Sequence, residues 1–283
     1  MRFLRHLAGL IVLAYLLALL AVVLLFDHVL FQPHPSSYQK SDEIIFIPTA
    51  DGGEIAAAWL PNPTARYTIL LSHGNGEDLG DIMPELREFA ERGYAVLGYD
   101  YRGYGLSSGK PSEANACADI EAAYRYLTTT LKVPPEQIIL HGYSVGGGPA
   151  VDLASRYRVG GLVLESAFTS ALRTVTRVPL FPIDRFRNID KLGSVSAPIL
   201  VIHGTDDVIV PFRLGEALYE AAPEPKQFLR VEKAGHYDLR ERAGDRYWQA
   251  YRNFIPYRMP EGVELRGDDG SLRRSRNDAG TKR

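Results

Sequence analysis

Four short stretches of this 283-residue chain carry residue types that together would perform acyl transfer. The first, His141-Gly142-Tyr143-Ser144-Val145-Gly146-Gly147-Gly148, contains Gly-x-Ser-x-Gly. Set between a strand and a helix, this spacing makes a tight turn that pushes the Ser144 hydroxyl into a cleft at a helix amino terminus, where developing negative charge is favoured. A serine hydroxyl is a weak nucleophile without a base. The second stretch, Val231-Glu232-Lys233-Ala234-Gly235-His236-Tyr237, supplies one in a loop after the last apolar run. The third, His203-Gly204-Thr205-Asp206-Asp207-Val208-Ile209-Val210-Pro211, offers Asp206 and Asp207 as the acid that would hold the imidazole tautomer. The fourth, His73-Gly74-Asn75-Gly76-Glu77-Asp78, is glycine-rich and follows a strand. Its backbone can approach a substrate closely, and the N–H groups of Asn75 and Val145 are the expected oxyanion-hole donors.

Other reactive side chains have plainer readings. His6 flanks the amino-terminal apolar run, and His28 and His34 lie just after it. His73, His141 and His203 each stand at a strand end before a glycine, and read as structural or cleft-lining. Asp100, in Asp100-Tyr101-Arg102-Gly103-Tyr104-Gly105, reads as a turn residue beside the serine turn. Glu165, at another strand end, is the candidate that would hold a substrate amine if the chain were a peptidase. Cys117 is the one cysteine, so no intramolecular disulfide and no cysteine-based metal site can form. Neither a metal nor an organic cofactor is expected.

Something must bring these stretches together. A hairpin is predicted from Ile44–Ile47 through Asp51-Gly52-Gly53 to Glu54–Leu60. Short β-branched runs follow at Tyr67–Ser72, Ala95–Tyr99, Gln137–Leu140, Gly161–Leu164, Ile199–His203 and Gln227–Val231, with helical patterns at about 79–92, 113–131, 146–157, 212–222 and 241–254. That alternation predicts an α/β fold with an eight-stranded, mostly parallel sheet covered by helices on both faces, the first pair antiparallel. In such sheets ligands bind at the carboxyl ends of the strands. All four reactive stretches fall there.

The domain occupies about 41–258. Before it, 1–6 is a short basic leader and Leu7–Phe26 is a run of uncharged residues. A helix of that length spans about 30 Å, the thickness of bilayer hydrocarbon. Arg2 and Arg5 precede the run, and no Lys or Arg follows until Lys40. The charge bias therefore predicts a single-pass anchor with its amino terminus in the cytoplasm and the domain on the other side. A cleaved signal peptide is the competing reading, but its apolar region is shorter and ends in small residues. Residues 27–40 read as a connector and 259–283 as a disordered tail. A net charge of −2 argues against nucleic acid as the partner. The stretch 167–190 is a short lid, with Phe168, Leu172, Leu180, Phe181 and Phe186 as candidate walls of an acyl groove.

Taken together, LSHGNGEDLG, DYRGYGLSSGKPSEANACADIEAAY, IILHGYSVGGGPAVDLASRY, VIHGTDDVIVPF and AGHYD resemble the α/β-hydrolase-domain serine hydrolases, in the branch containing the acyl-protein thioesterases. The resemblance covers about residues 30–240. It implies the α/β-hydrolase fold, with Ser144 as nucleophile, His236 as base and Asp207 as acid. Asp207 lies four residues after the histidine of the His-Gly-Thr block, with Pro211 in register. Mammalian members of the branch are held to membranes by a lipidated, cysteine-rich amino terminus; here an apolar helix stands in that place. The expected activity is hydrolysis of carboxylic esters or thioesters of acyl or lipid-like substrates through an acyl-enzyme. The alternatives are an aminopeptidase-like enzyme and a membrane-tethered binding protein on the same fold.

Overall fold

A computed structural model describes residues 2–177, 182–254, 265–266 and 272–273. The chain opens with α1 (Arg2–Leu30), whose apolar stretch Phe3–Leu20 is long and apolar enough to cross a membrane and is not buried within the protein. The helix begins before the predicted span and runs four residues beyond it, because its end has tertiary partners. Phe26 and Leu30 pack on the domain, and Asp27 pairs with Arg185 at 2.9 Å. The connector thus begins at Phe31, which is only 2% exposed. Burying a Phe side chain contributes about 2 kcal/mol.

The domain follows as β1 (Ile44–Pro48), β2 (Glu54–Leu60), β3 (Thr68–Ser72), α2 (Leu79–Glu91), β4 (Ala95–Tyr99), α3 (Glu113–Arg125), β5 (Ile138–Tyr143), α4 (Gly147–Arg156), β6 (Gly161–Glu165), α5 (Asn188–Lys191), β7 (Ile199–Gly204), α6 (Phe212–Ala221), β8 (Lys226–Val231), α7 (Leu239–Ala243) and α8 (Asp245–Phe254). The eight strands form one sheet in the order β1-β2-β4-β3-β5-β6-β7-β8. The pairings β1–β2 and β2–β4 are antiparallel and the others parallel. The inner strands β3 to β7 are buried at every residue but Tyr143, the last of β5, as a sheet covered on both faces requires. One face packs under α3, α4 and α6, the other under α2, α7 and α8.

Two predicted helices differ in detail. The pattern read over 113–131 is α3 ending at Arg125, followed by a π-helical turn at Tyr126–Thr130. The pattern read over 241–254 begins at Leu239 and is split at Gly244, whose φ of +53° breaks the helix. Most of the 259–283 tail lies outside the described residues; within it Leu265–Arg266 (β9) pairs with Leu272–Arg273 (β10). The candidate groove residues Leu180 and Phe181 also lie outside them.

Strand order positions the site. The connection from β3 runs to β4 on one side and that from neighbouring β5 runs to β6 on the other, so a crevice opens between their carboxyl ends. Ser72 of β3 lies beside Gly142 of β5. The approach is so close that a Cβ on Gly146 would stand 2.1 Å from the Ser72 carbonyl oxygen. Gly146→Ala should therefore cost about 3 kcal/mol or more, the upper range for overpacking. Gly193→Ala, where nothing lies within 4 Å, should stay within about 1 kcal/mol. Denaturant unfolding of the two variants checks this contrast.

Candidate active site

Ser144 sits on the turn from β5 into α4 with φ +52°, a left-handed conformation that side chains other than glycine rarely hold. Gly142 and Gly146 make the turn possible. A Cβ on Gly142 would come within 2.5 Å of the Gly146 carbonyl oxygen. Ser144 is 8% exposed, so its hydroxyl is screened from bulk water but open to the cleft.

His236 reaches it from the loop after β8. Its Nε2 lies 3.1 Å from Ser144 Oγ and its Nδ1 2.7 Å from Asp207 Oδ2. With Nδ1–H donating to the carboxylate, Nε2 is the free lone pair facing the serine. The other Asp207 oxygen accepts the N–H groups of Ile209 at 2.9 Å and Val210 at 2.8 Å. Burial alone would raise the Asp207 carboxyl. Hydrogen bonds from His203 and His236, the charge of a protonated His236 and the Val210 amide outweigh it, holding the group well below the usual carboxylate range. Asp206 is exposed, its Oδ1 accepting from Thr205 Oγ1 at 3.0 Å. The structure thus places Asp207, and not Asp206, on the histidine.

The remaining histidines support backbone. His203 Nε2–H donates to the Val210 carbonyl at 2.8 Å, folding the acid loop over β7. His73 Nδ1–H donates to the Gly74 carbonyl at 2.7 Å. His141 is fully buried against Tyr251, with Glu165 3.3 Å from its Nε2. Asp100 serves the turn: its Oδ1 accepts the Leu79 N–H at 2.8 Å, and Tyr38 donates to its other oxygen.

The register sets Ser72 beside Gly142, so Asn75 and Val145, each three residues further on, come to the same end of the crevice. The loop carrying Asn75 is braced by Gly74 N–H donating to Glu77 Oε2 at 2.8 Å and by Tyr101 Oη–H donating to the His73 carbonyl at 2.8 Å. The Asn75 side chain is itself held, its Oδ1 accepting from Gln32 N at 2.9 Å and Tyr104 Oη at 2.7 Å. Sequence reading missed Gln32, Tyr104 and Tyr143. Tyr143 donates to the His236 carbonyl at 3.1 Å and its ring lies 5.2 Å from the imidazole, so it clamps the base loop. Its place inside the Gly-x-Ser-x-Gly motif was the available signal.

The candidate groove residues are spread out. Phe186 is fully buried, its ring filling the space over Gly148 and meeting Phe31 edge-on at 6.0 Å. Phe168 is 3% exposed in the same cluster. In this conformation both are core residues and do not wall an open groove, Phe186 packing the insertion onto α4. Leu172 is half-buried and lines a cavity of about 220 Å³ with Thr169, Arg173, Asp184 and Arg187. A second cavity, about 210 Å³, is lined by His236, Tyr143, Glu77, Glu85, Glu165 and Arg240. Glu165 there accepts from Tyr247 Oη at 2.6 Å.

Burial raises Glu165 to about 7, against the opposing pull of Arg240. Its folded pKa thus lies above its unfolded one. The folded protein keeps a proton that the unfolded chain releases, and stability falls as pH rises between about 4 and 7, then levels off. Glu165→Gln should shrink the difference in melting temperature between pH 5 and pH 8. It should not abolish it, because burial raises Glu77 and Asp100 to about 7 as well.

Known proteins resemble the chain at both levels. A family profile described as serine aminopeptidase, S33, matches residues 63–188. The mouse alpha/beta hydrolase domain-containing protein 17C is 42% identical over 223 residues, 77% of this chain and 69% of that protein. The human alpha/beta hydrolase domain-containing protein 17B is 41% identical over 210 residues, 73% of each. Among solved structures, the Pyrococcus furiosus esterase Pf2001 superposes with a TM-score of 0.65 at 18% identity, covering 80% of this chain and 99% of that one. The Rhodococcus esterase RhEst1 gives a TM-score of 0.60 at 20% identity, covering 76% and 99%. Those two likenesses speak for the fold, and the two closer sequences for descent: the chain belongs to the α/β-hydrolase-domain family and is a hydrolase.

Proposed function

We propose that the chain is a serine esterase or thioesterase that cleaves acyl or lipid-like substrates through an acyl-enzyme on Ser144. The observation that carries this reading is the single imidazole of His236, within hydrogen-bond reach of both Ser144 and Asp207. Ser144 Oγ attacks the acyl carbonyl as His236 Nε2 takes its proton. The oxyanion is held by the N–H groups of Asn75 and Val145, and Asp207 stabilises the imidazolium. The proton passes to the departing alcohol or thiol. A water, deprotonated by the same nitrogen, then releases the acid and restores Ser144. In this reading α1 anchors the enzyme as a single-pass membrane protein, with the domain on the non-cytoplasmic side. That side lacks cytosolic acyl-proteins, which makes a lipid ester the better candidate.

A fluorophosphonate probe on the full chain in detergent separates an enzyme from a binding protein on this fold. Turnover of para-nitrophenyl esters from acetate to palmitate, beside matched thioesters, then ranks the acyl chains. No labelling and no turnover by the folded protein would sink the reading.

One observation favours a second reading. The cavity beside His236 carries Glu77, Glu85 and Glu165, groups that suit a substrate amine, and the matching family profile is described as an aminopeptidase. Against it, Arg240 shares the cavity, pairing with Glu85, and Glu165 is engaged by Tyr247. Aminoacyl amides as substrates decide between the two.

A further inference from the structure

We infer that the segment leaving α1 is a built part of the oxyanion loop, with Tyr104 and the Gln32 main chain acting as positioning groups for Asn75. The inference rests on the oxyanion role proposed above for the Asn75 amide.

The contact is a closed ring of three groups. Gln32 N–H is shared between Asn75 Oδ1 at 2.9 Å and Tyr104 Oη at 3.0 Å, and Tyr104 donates to the same Asn75 oxygen at 2.7 Å. Both donors therefore converge on one side-chain carbonyl, which fixes the Asn75 side chain and so limits rotation of its peptide. This matters because Asn75 is exposed and is followed by Gly76 at φ +72°, a residue that by itself lets the loop turn freely. A loop amide gains catalytic value only when it is held where charge will develop.

Each donor is rigidly mounted. Tyr104 is 1% exposed, its ring edge-on to Phe31, Tyr101 and His73. Its loop is pinned to α3 by Arg102, whose N–H and Nε donate to the two Asp119 oxygens at 2.9 and 2.6 Å. Burial raises the Tyr104 hydroxyl far above its ordinary value, so it stays a donor at any working pH. On the other side, Phe31 holds Gln32 in place by lying between Tyr104 and Phe186. The hydrogen bonds of the Ser144 hydroxyl and the His236 imidazole run to each other and to Asp207, and those of this ring join Gln32, Tyr104 and Asn75 to one another. Its effect would be confined to the transition state.

The test uses the full chain in detergent micelles, with Tyr104→Phe, Asn75→Ala and the double variant. Asn75→Ala keeps the backbone N–H and alters an exposed side chain, so it reports even if Tyr104→Phe folds poorly. Removing an oxyanion donor outright costs about 100- to 1000-fold, and loosening one should cost about 10-fold in kcat with KM unchanged. Active-site titration with a fluorophosphonate corrects each rate for folded enzyme. The double variant should lose no more than the worse single one, because both break the same ring. A trifluoromethyl ketone, whose serine adduct places an oxyanion in the hole, should bind more weakly by the factor that kcat/KM falls; a merely structural role would not link the two. Wild-type kcat per titrated site in Asn75→Ala, or losses that multiply in the double variant, would overturn the inference. Failure of the triad itself would appear separately, as retained activity in Ser144→Ala.

Discussion

Ser144→Ala leaves the domain folded and lowers kcat for ester hydrolysis by about 10⁴-fold or more, the scale seen when the nucleophile of a triad is removed. The change deletes one oxygen from a side chain that is 8% exposed and whose hydroxyl meets the imidazole of His236. Alanine at φ +52° bears the same backbone strain as serine, so the melting temperature should hardly move. What disappears is the atom to which the acyl group is transferred. Fluorophosphonate labelling should vanish with turnover. Adding His236→Ala should bring little further loss, since base and nucleophile act as a unit. Residual activity above about a tenth of wild type would remove Ser144 from the mechanism, because background catalysis from binding and the oxyanion hole is far smaller.

The second large effect separates two neighbours. Asp207→Asn should lower kcat by about 10⁴-fold, because an amide NH₂ facing Nδ1 turns the imidazole to the tautomer that carries its proton on Nε2. The base would then present N–H to the serine. Asp206→Asn should leave kcat within about 2-fold, as for ordinary surface substitutions. Asp206 contacts Thr205 Oγ1 through its side chain and the Ala234 carbonyl through its amide, and neither depends on its charge. The pair also differs in acid. Asp207 has a depressed folded pKa, so the stability it contributes is present above about pH 4 and is lost as pH falls further. Acid unfolding of Asp207→Asn should accordingly be shallower than that of wild type, and that of Asp206→Asn should not. Equal kcat losses in the two variants would return the choice of acid to open.

The contrast between these aspartates marks where sequence reading ends. Ser144 is legible because a strand, a glycine-spaced turn and a helix leave one place for it to go. Both aspartates follow the same strand and both suit a turn, so residue type alone leaves them equal. Family register pointed to Asp207, and the loop states why: Ile209 and Val210 donate to it while Asp206 turns outward. The inner strands are legible to within about three residues, because a strand buried on both faces is an apolar run with polar ends. The end of α1 is not, since Asp27 closes the uncharged run locally yet stays helical through a partner 158 positions away. Phe168 and Phe186 fail for a related reason. Apolar character announces burial but not which surface does the burying, and for Phe186 it is α4 and Phe31.

One feature of the chain's start bears on how a tethered enzyme would work. α1 ends at Leu30 and Phe31 is already buried, so no slack separates the helix from the domain. A flexible leash acts by local concentration, and its benefit fades as the leash lengthens. A stiff mount acts otherwise. It gives the crevice one posture and one height above the surface that holds α1, and reduces the search for substrate to two dimensions. Molecules that present their acyl carbonyl at that height would be met in the productive orientation, and others of identical chemistry would be passed over. Selectivity would then lie partly in where a bond sits rather than in what surrounds it.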